Sequence, residues 1–380
     1  MIYLDNSATT LIKPKEVINA VNIALTKYSA NPGRSGHRLS LLAANQVEYV
    51  REKIADFMGL NEHERVIFTQ NCSDALNLAI LGSVKSGGHI VLTENEHNSV
   101  LRPIEHLKTQ GLIDYSIAKK SSEKGISKED IEKEIKPNTY LVICNHISNV
   151  NGDIADIEKI GDICHKKNIL FLVDGAQSGG HELINMEKYH IDMLTLAPHK
   201  GFYSPQGLGV LLLSQKANLS PIRFGGTGTN SLELFQPENL PEKFEVGTIA
   251  TPAILGFGAG IDFVEKNFDL IKEKLDDLTT YLHYELSKLP VTIYTNLENS
   301  YGVFAFNVPN IHSSDLASLL SENYSICTRG GYHCAPQKHA SLETLETGAL
   351  RISLSFFNNI TDIQKLVSAI KNILKNNKQN

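Results

Sequence analysis

Several things this 380-residue chain lacks set the first limits on what it can be. No apolar run reaches the roughly 18 residues of a membrane-spanning helix. The start, Met1-Ile2-Tyr3-Leu4-Asp5, has no basic segment followed by an apolar one, as a secretory signal would. No block of like charge stands out against a formal net charge of -6, so neither a nucleic acid nor a membrane surface is an expected partner. The five cysteines (Cys72, Cys144, Cys164, Cys327 and Cys334) are odd in number and form no C-x-x-C pair. That pattern speaks against a structural zinc site and a disulfide framework, and fits free thiols in a reduced cytoplasm. Neither G-x-x-x-x-G-K-[ST] nor G-x-G-x-x-G occurs, which leaves nucleotide binding without support.

What is present is ordinary for a globular protein, with 42% hydrophobic and 21% charged residues, and long enough for two domains and a large core. Apolar runs at 66–69, 89–93, 140–144, 170–173, 193–196 and 209–213 read as buried strands. Helix patterns lie between them: one capped by Ser73, one over 99–107, and one over 157–167 with Ile157, Ile160, Ile163 and Cys164 on one face. The alternation predicts an α/β fold built on a mainly parallel sheet, with ligands at the strand C-terminal ends. Ala43, Val47, Val50, Ile54 and Phe57 mark an amphipathic helix whose stripe is core packing. After about residue 263 the texture changes to a charged helix over 265–289, then the alternation Phe304, Phe306, Val308, which predicts a half-exposed antiparallel strand. A helix pattern follows over 361–374. These shifts divide the chain into a large domain over 15–262 and a small one from 1–14 and 263–380.

The chemistry gathers at strand ends. Lys200, in Ala197-Pro198-His199-Lys200, follows one strand and enters a segment punctuated by Gly201, Pro205, Gly207 and Gly209. Asp174 ends another, with Gln177 three residues on. A lysine that can form a Schiff base and an aspartate that can pair with a pyridinium nitrogen are what pyridoxal phosphate requires, although Asp174 would equally cap a helix. Gln177 and Asn149, the latter in a turn with Gly152, can each donate to the ring oxygen. Cys72 and Ser73 stand where a strand gives way to a helix, a setting for a phosphate or for plain capping. His97 lies past a strand end, where an imidazole can stack on a ring. Cys334 sits in a loop rich in Gly, Tyr and Pro beside Arg329 and His333, an electropositive setting that favours thiolate, whereas Cys144 and Cys164 read as inert packing. Arg351 heads an apolar alternation and can clamp a carboxylate bidentately or make a surface ion pair.

Together these residues resemble the class V aminotransferase family of fold-type I pyridoxal phosphate enzymes, and within it the group II cysteine desulfurases and selenocysteine lyases. The resemblance runs over nearly the whole chain, from Tyr3-Leu4-Asp5-Asn6-Ser7-Ala8-Thr9-Thr10 to the Arg329, Cys334, Arg351 signature. It implies a seven-stranded, mainly parallel sheet in the large domain and a smaller C-terminal α/β domain. It implies that Lys200, Cys334 and His97 are catalytic. Cys72, Ser73, His97, Asn149, Asp174, Gln177, His199 and Lys200 would hold the cofactor, with Thr248 reaching the neighbouring subunit's phosphate in a homodimer. Arg351, Arg329, Asn149, Arg34 and His37 would bind substrate. The implied reaction takes sulfur from L-cysteine onto Cys334 for an acceptor protein. Selenium release from L-selenocysteine and a non-catalytic sulfur-relay protein on the same fold are the alternatives. No metal ligand set is expected.

Overall fold

The computed structural model describes residues 1–376 apart from Arg34, Glu123, Asn230 and Tyr301. Its strands are β1 (Ile2–Tyr3), β2 (Val66–Thr69), β3 (Gly88–Thr93), β4 (Ile113–Ala118), β5 (Thr139–Asn145), β6 (Leu170–Asp174), β7 (Met193–Leu196), β8 (Gly209–Leu213), β9 (Thr292–Ile293), β10 (Val303–Asn307), β11 (Ile326–Cys327) and β12 (Leu350–Ser353). Its helices are α1 (Lys15–Lys27), α2 (Arg38–Met58), α3 (Cys72–Gly82), α4 (Asn98–Thr109), α5 (Lys128–Glu134), α6 (Ile157–Lys166), α7 (Thr251–Leu286), α8 (Ser313–Tyr324), α9 (Pro336–Ser341) and α10 (Ile360–Asn376).

Seven strands form the main sheet in the order β2-β8-β7-β6-β5-β3-β4. Strands β7, β6, β5, β3 and β4 run parallel, while β8 is antiparallel to both β7 and β2. The apolar runs are continuous because each face of the sheet is covered. Val142, Cys144, Phe171 and Val173 join one core cluster, and the alternate residues Leu141, Ile143 and Leu172 join the other. Side chains of successive strand residues point to opposite faces, so the two clusters are the two sides of one sheet. The edge strand β4 carries no matching apolar run, since only Ile113 and Ala118 at its ends are buried.

Three expectations need correction. Asn71 caps α3, its side chain accepting from the Asp74 N–H at 3.0 Å, and Ser73 lies inside the first turn. The strand around Phe304 is not half-exposed: β10 is the middle strand between β9 and β12, and all five of its residues are buried. The helix expected over 265–289 begins at Thr251, because an uncharged segment with Pro252 in the first turn precedes the charged one and buries Ala253, Ile254 and Leu255. At the other end of the chain, β1 pairs with β11 and Asp5 bridges to Ser353, so the N-terminal segment lies against the C-terminal region.

Candidate active site

The strands β5, β6 and β7 end side by side. Asn145, Asp174 and Thr195 are register neighbours, and the polypeptide turns at Ala197 immediately after β7. The turn is tied by Lys200 N–H to Ala197 C=O and Tyr203 N–H to Lys200 C=O, each 3.0 Å. Opposite, β8 passes under the start of α3. Gly209 permits this, because a Cβ there would collide with the Asn71 carbonyl. A pocket open to solvent results. Its wall includes Cys72, Ser73, His97, Asn149, Asp174, Gln177, His199, Lys200, Arg329 and Arg351, ten of the residues expected from sequence.

Asp174 is 2% exposed, yet it is well supplied with donors. Its Oδ1 accepts from the Ala176 N–H at 3.0 Å and its Oδ2 from Asn145 Nδ2 at 3.3 Å. The Cys72 thiol is 4.0 Å from Oδ1, and burial beside that carboxylate pushes its pKa up. Lys200 is driven the other way. Burial lowers its pKa, and Arg351 and Arg329 add repulsion against the pull of Cys72 and Asp174. The result is a lysine biased towards the neutral amine, which is the nucleophilic and basic form.

The imidazoles around it are pushed towards the neutral form. Burial, with Lys200 and Lys13 nearby, lowers His199 to about 4, and its Nδ1 is 3.1 Å from Thr9 Oγ1. His97 is also lowered by burial, and its Nδ1 accepts from the Ser99 N–H at 3.1 Å, which leaves the proton of the neutral ring on Nε2. Gln177 Nε2 donates to Ser7 C=O at 3.0 Å. Asn149 Nδ2 donates to His333 C=O at 2.7 Å, so that donor is engaged, while its buried Oδ1 has no partner. Arg351 is 1% exposed; it donates to Asp5 Oδ1 at 2.5 Å and Asn149 C=O at 2.9 Å, and its Nε is unpaired.

Cys334 does not line this pocket. It borders an adjoining cleft with Ser73, His97, Ser99, Arg102 and His106, and Ser73, His97 and Ser99 belong to both walls. His333 gives no positive charge to that thiol: burial, together with Arg351, pushes the imidazole down to about 2, and the ring stacks on His339. Cys144 and Cys164 are buried, and burial raises both thiols. His37 caps α2 on the exposed surface, accepting from the Ser40 N–H at 3.2 Å, and Arg34 is outside the described residues. Thr248 lies in a separate cleft with Asp74, Arg223 and Phe244. Two residues escape a reading by motif: Asn145, whose signal is a polar strand end in register with Asp174, and Ser99, whose hydroxyl lies 2.6 Å from that of Ser73.

The family profile described as aminotransferase class-V matches residues 2–366. The chain belongs to the class-V aminotransferase family. A family member from Pyrococcus abyssi, named a probable cysteine desulfurase, is 34% identical over 99% of this chain and 94% of its own length. Another of the same name from Methanothermobacter thermautotrophicus is 33% identical over 98% and 94%. Among solved structures, the apo cysteine desulfurase of Thermococcus onnurineus NA1 superposes with a TM-score of 0.91 at 34% identity, covering 99% of this chain and 95% of that one. The Escherichia coli cysteine desulfurase CsdA shares the family's fold with a TM-score of 0.88 at 24% identity, over 98% and 94% of the two chains. Among the described residues no helix is long and apolar enough to cross a membrane.

Proposed function

We propose that this chain is a pyridoxal-phosphate-dependent cysteine desulfurase, of the group II kind, that converts L-cysteine to L-alanine and carries the sulfur as a persulfide on Cys334. The observation that carries the reading is the shared wall: Ser73, His97 and Ser99 face both the Lys200 pocket and the Cys334 cleft. A substrate held at Lys200 therefore lies beside the thiol that would take its sulfur. The names of the relatives point the same way.

The residues fit the cofactor. The first N–H groups of α3, at Cys72 and Ser73, have no acceptor within the helix and suit a phosphate, with the Ser73 hydroxyl beside them. The unpaired Oδ1 atoms of Asn145 and Asn149 are buried polar atoms at or beside the pocket awaiting a donor. Asp174 would pair with the ring nitrogen, His97 would lie on the ring, Gln177 would face its hydroxyl and His199 the phosphate. When bound, pyridoxal phosphate supplies an electron sink conjugated to the substrate nitrogen, which acidifies the Cα proton.

The chain's own groups do the rest. Arg351, with Arg329 and Asn149 beside it, holds the substrate carboxylate. The neutral Lys200 amine takes the Cα proton and returns it. The Cys334 thiolate attacks the substrate Sγ; the S–S bond forms as the Cβ–Sγ bond breaks. The electron pair of that bond stays with the carbon skeleton, and Cβ takes up a proton. Net, the thiol proton of Cys334 ends on alanine, and the substrate's S–H becomes the persulfide for an acceptor.

This reading includes a homodimer in which Thr248 reaches the second copy's phosphate and the segment 225–229 lies at the same interface. Exposed apolar side chains nearby support it: Phe224 is 72% exposed, Leu234 98% and Phe235 88%. The free thiols fit a reducing cytoplasm. Cys334→Ser should lose sulfide release from L-cysteine under reductant while still taking up pyridoxal phosphate, and mass analysis of the wild type after cysteine should find one added sulfur on Cys334. Undiminished turnover by the serine variant would overturn the reading.

A further inference from the structure

The loop that carries Cys334 is in an unfavourable backbone conformation. His333 and Cys334 have φ of 51° and 57°, the left-handed region that L side chains seldom adopt, in succession. Two hydrogen bonds fasten them from outside: Asn98 N–H to Cys334 C=O and Asn149 Nδ2 to His333 C=O, each 2.7 Å. The helix that follows, α9, has no side-chain N-cap to hold its start.

A third fastening is a buried charge. Lys338 lies on α9, four residues after Cys334, and is 0% exposed. Its Nζ donates to Asp153 Oδ2 at 2.6 Å and stands 3.8 Å from Glu94 Oε1. Asp153 is itself 0% exposed, in the segment after β5, and also accepts from Lys120 Nζ at 3.2 Å. Glu94 follows β3 and is 2% exposed. The ammonium thus ties α9 to loops at the C-terminal ends of β3 and β5, the same end of the sheet that holds Asp174. Burying a charged lysine is costly unless it is paired, and an apolar side chain of similar length would fill the space without that cost. A paired ammonium does what an apolar side chain does not: it cannot leave Asp153 without leaving a buried charge unpaired, so it keeps α9 against that loop.

We propose that Lys338 is a positioning residue that, through Asp153 and Glu94, holds the Cys334 loop in register with the Lys200 pocket. The proposal rests on the desulfurase reading of that pocket. Lys120 remains beside Asp153 when Lys338 is replaced, so Asp153 keeps a cationic partner.

The test compares wild type, Lys338→Met, Lys338→Arg and the double variant Lys338→Met/Asp153→Asn, which removes both members of the hydrogen-bonded pair together. Two readouts are used: the rate at which iodoacetamide modifies Cys334 in the protein without cofactor, followed by mass, and steady-state turnover of L-cysteine by the loaded enzyme. Lys338→Met and the double variant are expected to change the modification rate and to lower kcat by about tenfold or more, since displacement of about 1 Å is enough for such losses. KM for cysteine should move less than about twofold, because Arg351, the main carboxylate clamp, is held on β12 and not by Lys338. Lys338→Arg should recover most of kcat. A wild-type modification rate and kcat in Lys338→Met, or restoration of both in the double variant, would overturn the proposal. So would a parallel loss of kcat and cofactor binding, which marks general damage. Failure of the wild type itself to desulfurate cysteine would refute the function instead, and the modification rates would still decide whether Lys338 holds the loop.

Discussion

Glu96→Gln probes how the end of the sheet tolerates charge next to Asp174. Glu96 is 0% exposed. Its Oε1 accepts from Thr93 Oγ1 at 2.6 Å and from the Asn145 N–H at 2.8 Å, and its Oε2 has no partner. Burial raises its pKa from 4.5 to about 8; the Asp174 charge adds to the rise, while the two donors oppose it. The unfolded chain therefore gives up this proton at lower pH than the folded one does. Between the two pKa values the folded state binds more protons, so stability is full below about 4.5 and falls as pH rises towards about 8. About 3.5 pH units at 1.36 kcal/mol each give a loss of about 5 kcal/mol from this one group. Glutamine keeps the acceptor for Thr93 and Asn145 and has no proton to lose. Urea unfolding of wild type and Glu96→Gln without cofactor, from about pH 5 to about pH 9, should then show the variant gaining on the wild type by up to about 1.4 kcal/mol per pH unit, with the difference levelling above about pH 8. Two parallel stability curves would refute the reasoning.

Two further outcomes bear on the frame around the site. Arg51, 2% exposed, donates to both oxygens of Glu245 at 2.8 and 3.0 Å, so Arg51→Met should cost about 3–5 kcal/mol by leaving that largely covered carboxylate without its cation and with the Phe68 N–H still bound, and Arg51→Met/Glu245→Gln should recover much of it; an unchanged urea midpoint in the single variant would be the contrary result. Gly260 of α7 abuts the Phe202 carbonyl, two residues past Lys200, where a Cβ would collide with it. Gly260→Ala should lose about 1–3 kcal/mol and weaken pyridoxal phosphate retention, read by urea unfolding and by dialysis against the cofactor's absorbance; wild-type values on both would show that this packing does not hold the Lys200 turn.

How far the sequence could be read depended on whether the signal was local. Strands buried on both faces, such as β5 and β6, are continuous apolar runs bounded by polar residues, and they stand out. The edge strand β4 does not, because only its two end residues are buried. The Phe304 alternation misled for a related reason: exposure is set by what covers the other face, which no periodicity reports. Asn71 took the cap assigned to Ser73, since either type suits the position and a shift of two residues decides. The fourteen candidate site residues divide in the same way. Ten line one pocket, because they follow strand ends or a helix start that the fold brings together. Cys334 falls in the neighbouring cleft, Thr248 and His37 lie apart, and Arg34 is outside the described residues.

The sequence by itself determined the α/β class, the strand ends at Asp174 and Lys200, and the family signature, all of which reside in short stretches of chain. Only the tertiary structure decided the charge states and alignments. Burial, with two arginines from the far end of the chain opposing Cys72 and Asp174, lowers the pKa of Lys200. His333, next to Cys334 in the same loop, is pushed towards the neutral form by burial instead of activating the thiol. Lys338 lies fully buried against Asp153, 185 residues away in sequence. Desolvation and Coulomb interaction depend on distances between residues remote in sequence, and those distances exist only once the chain has folded.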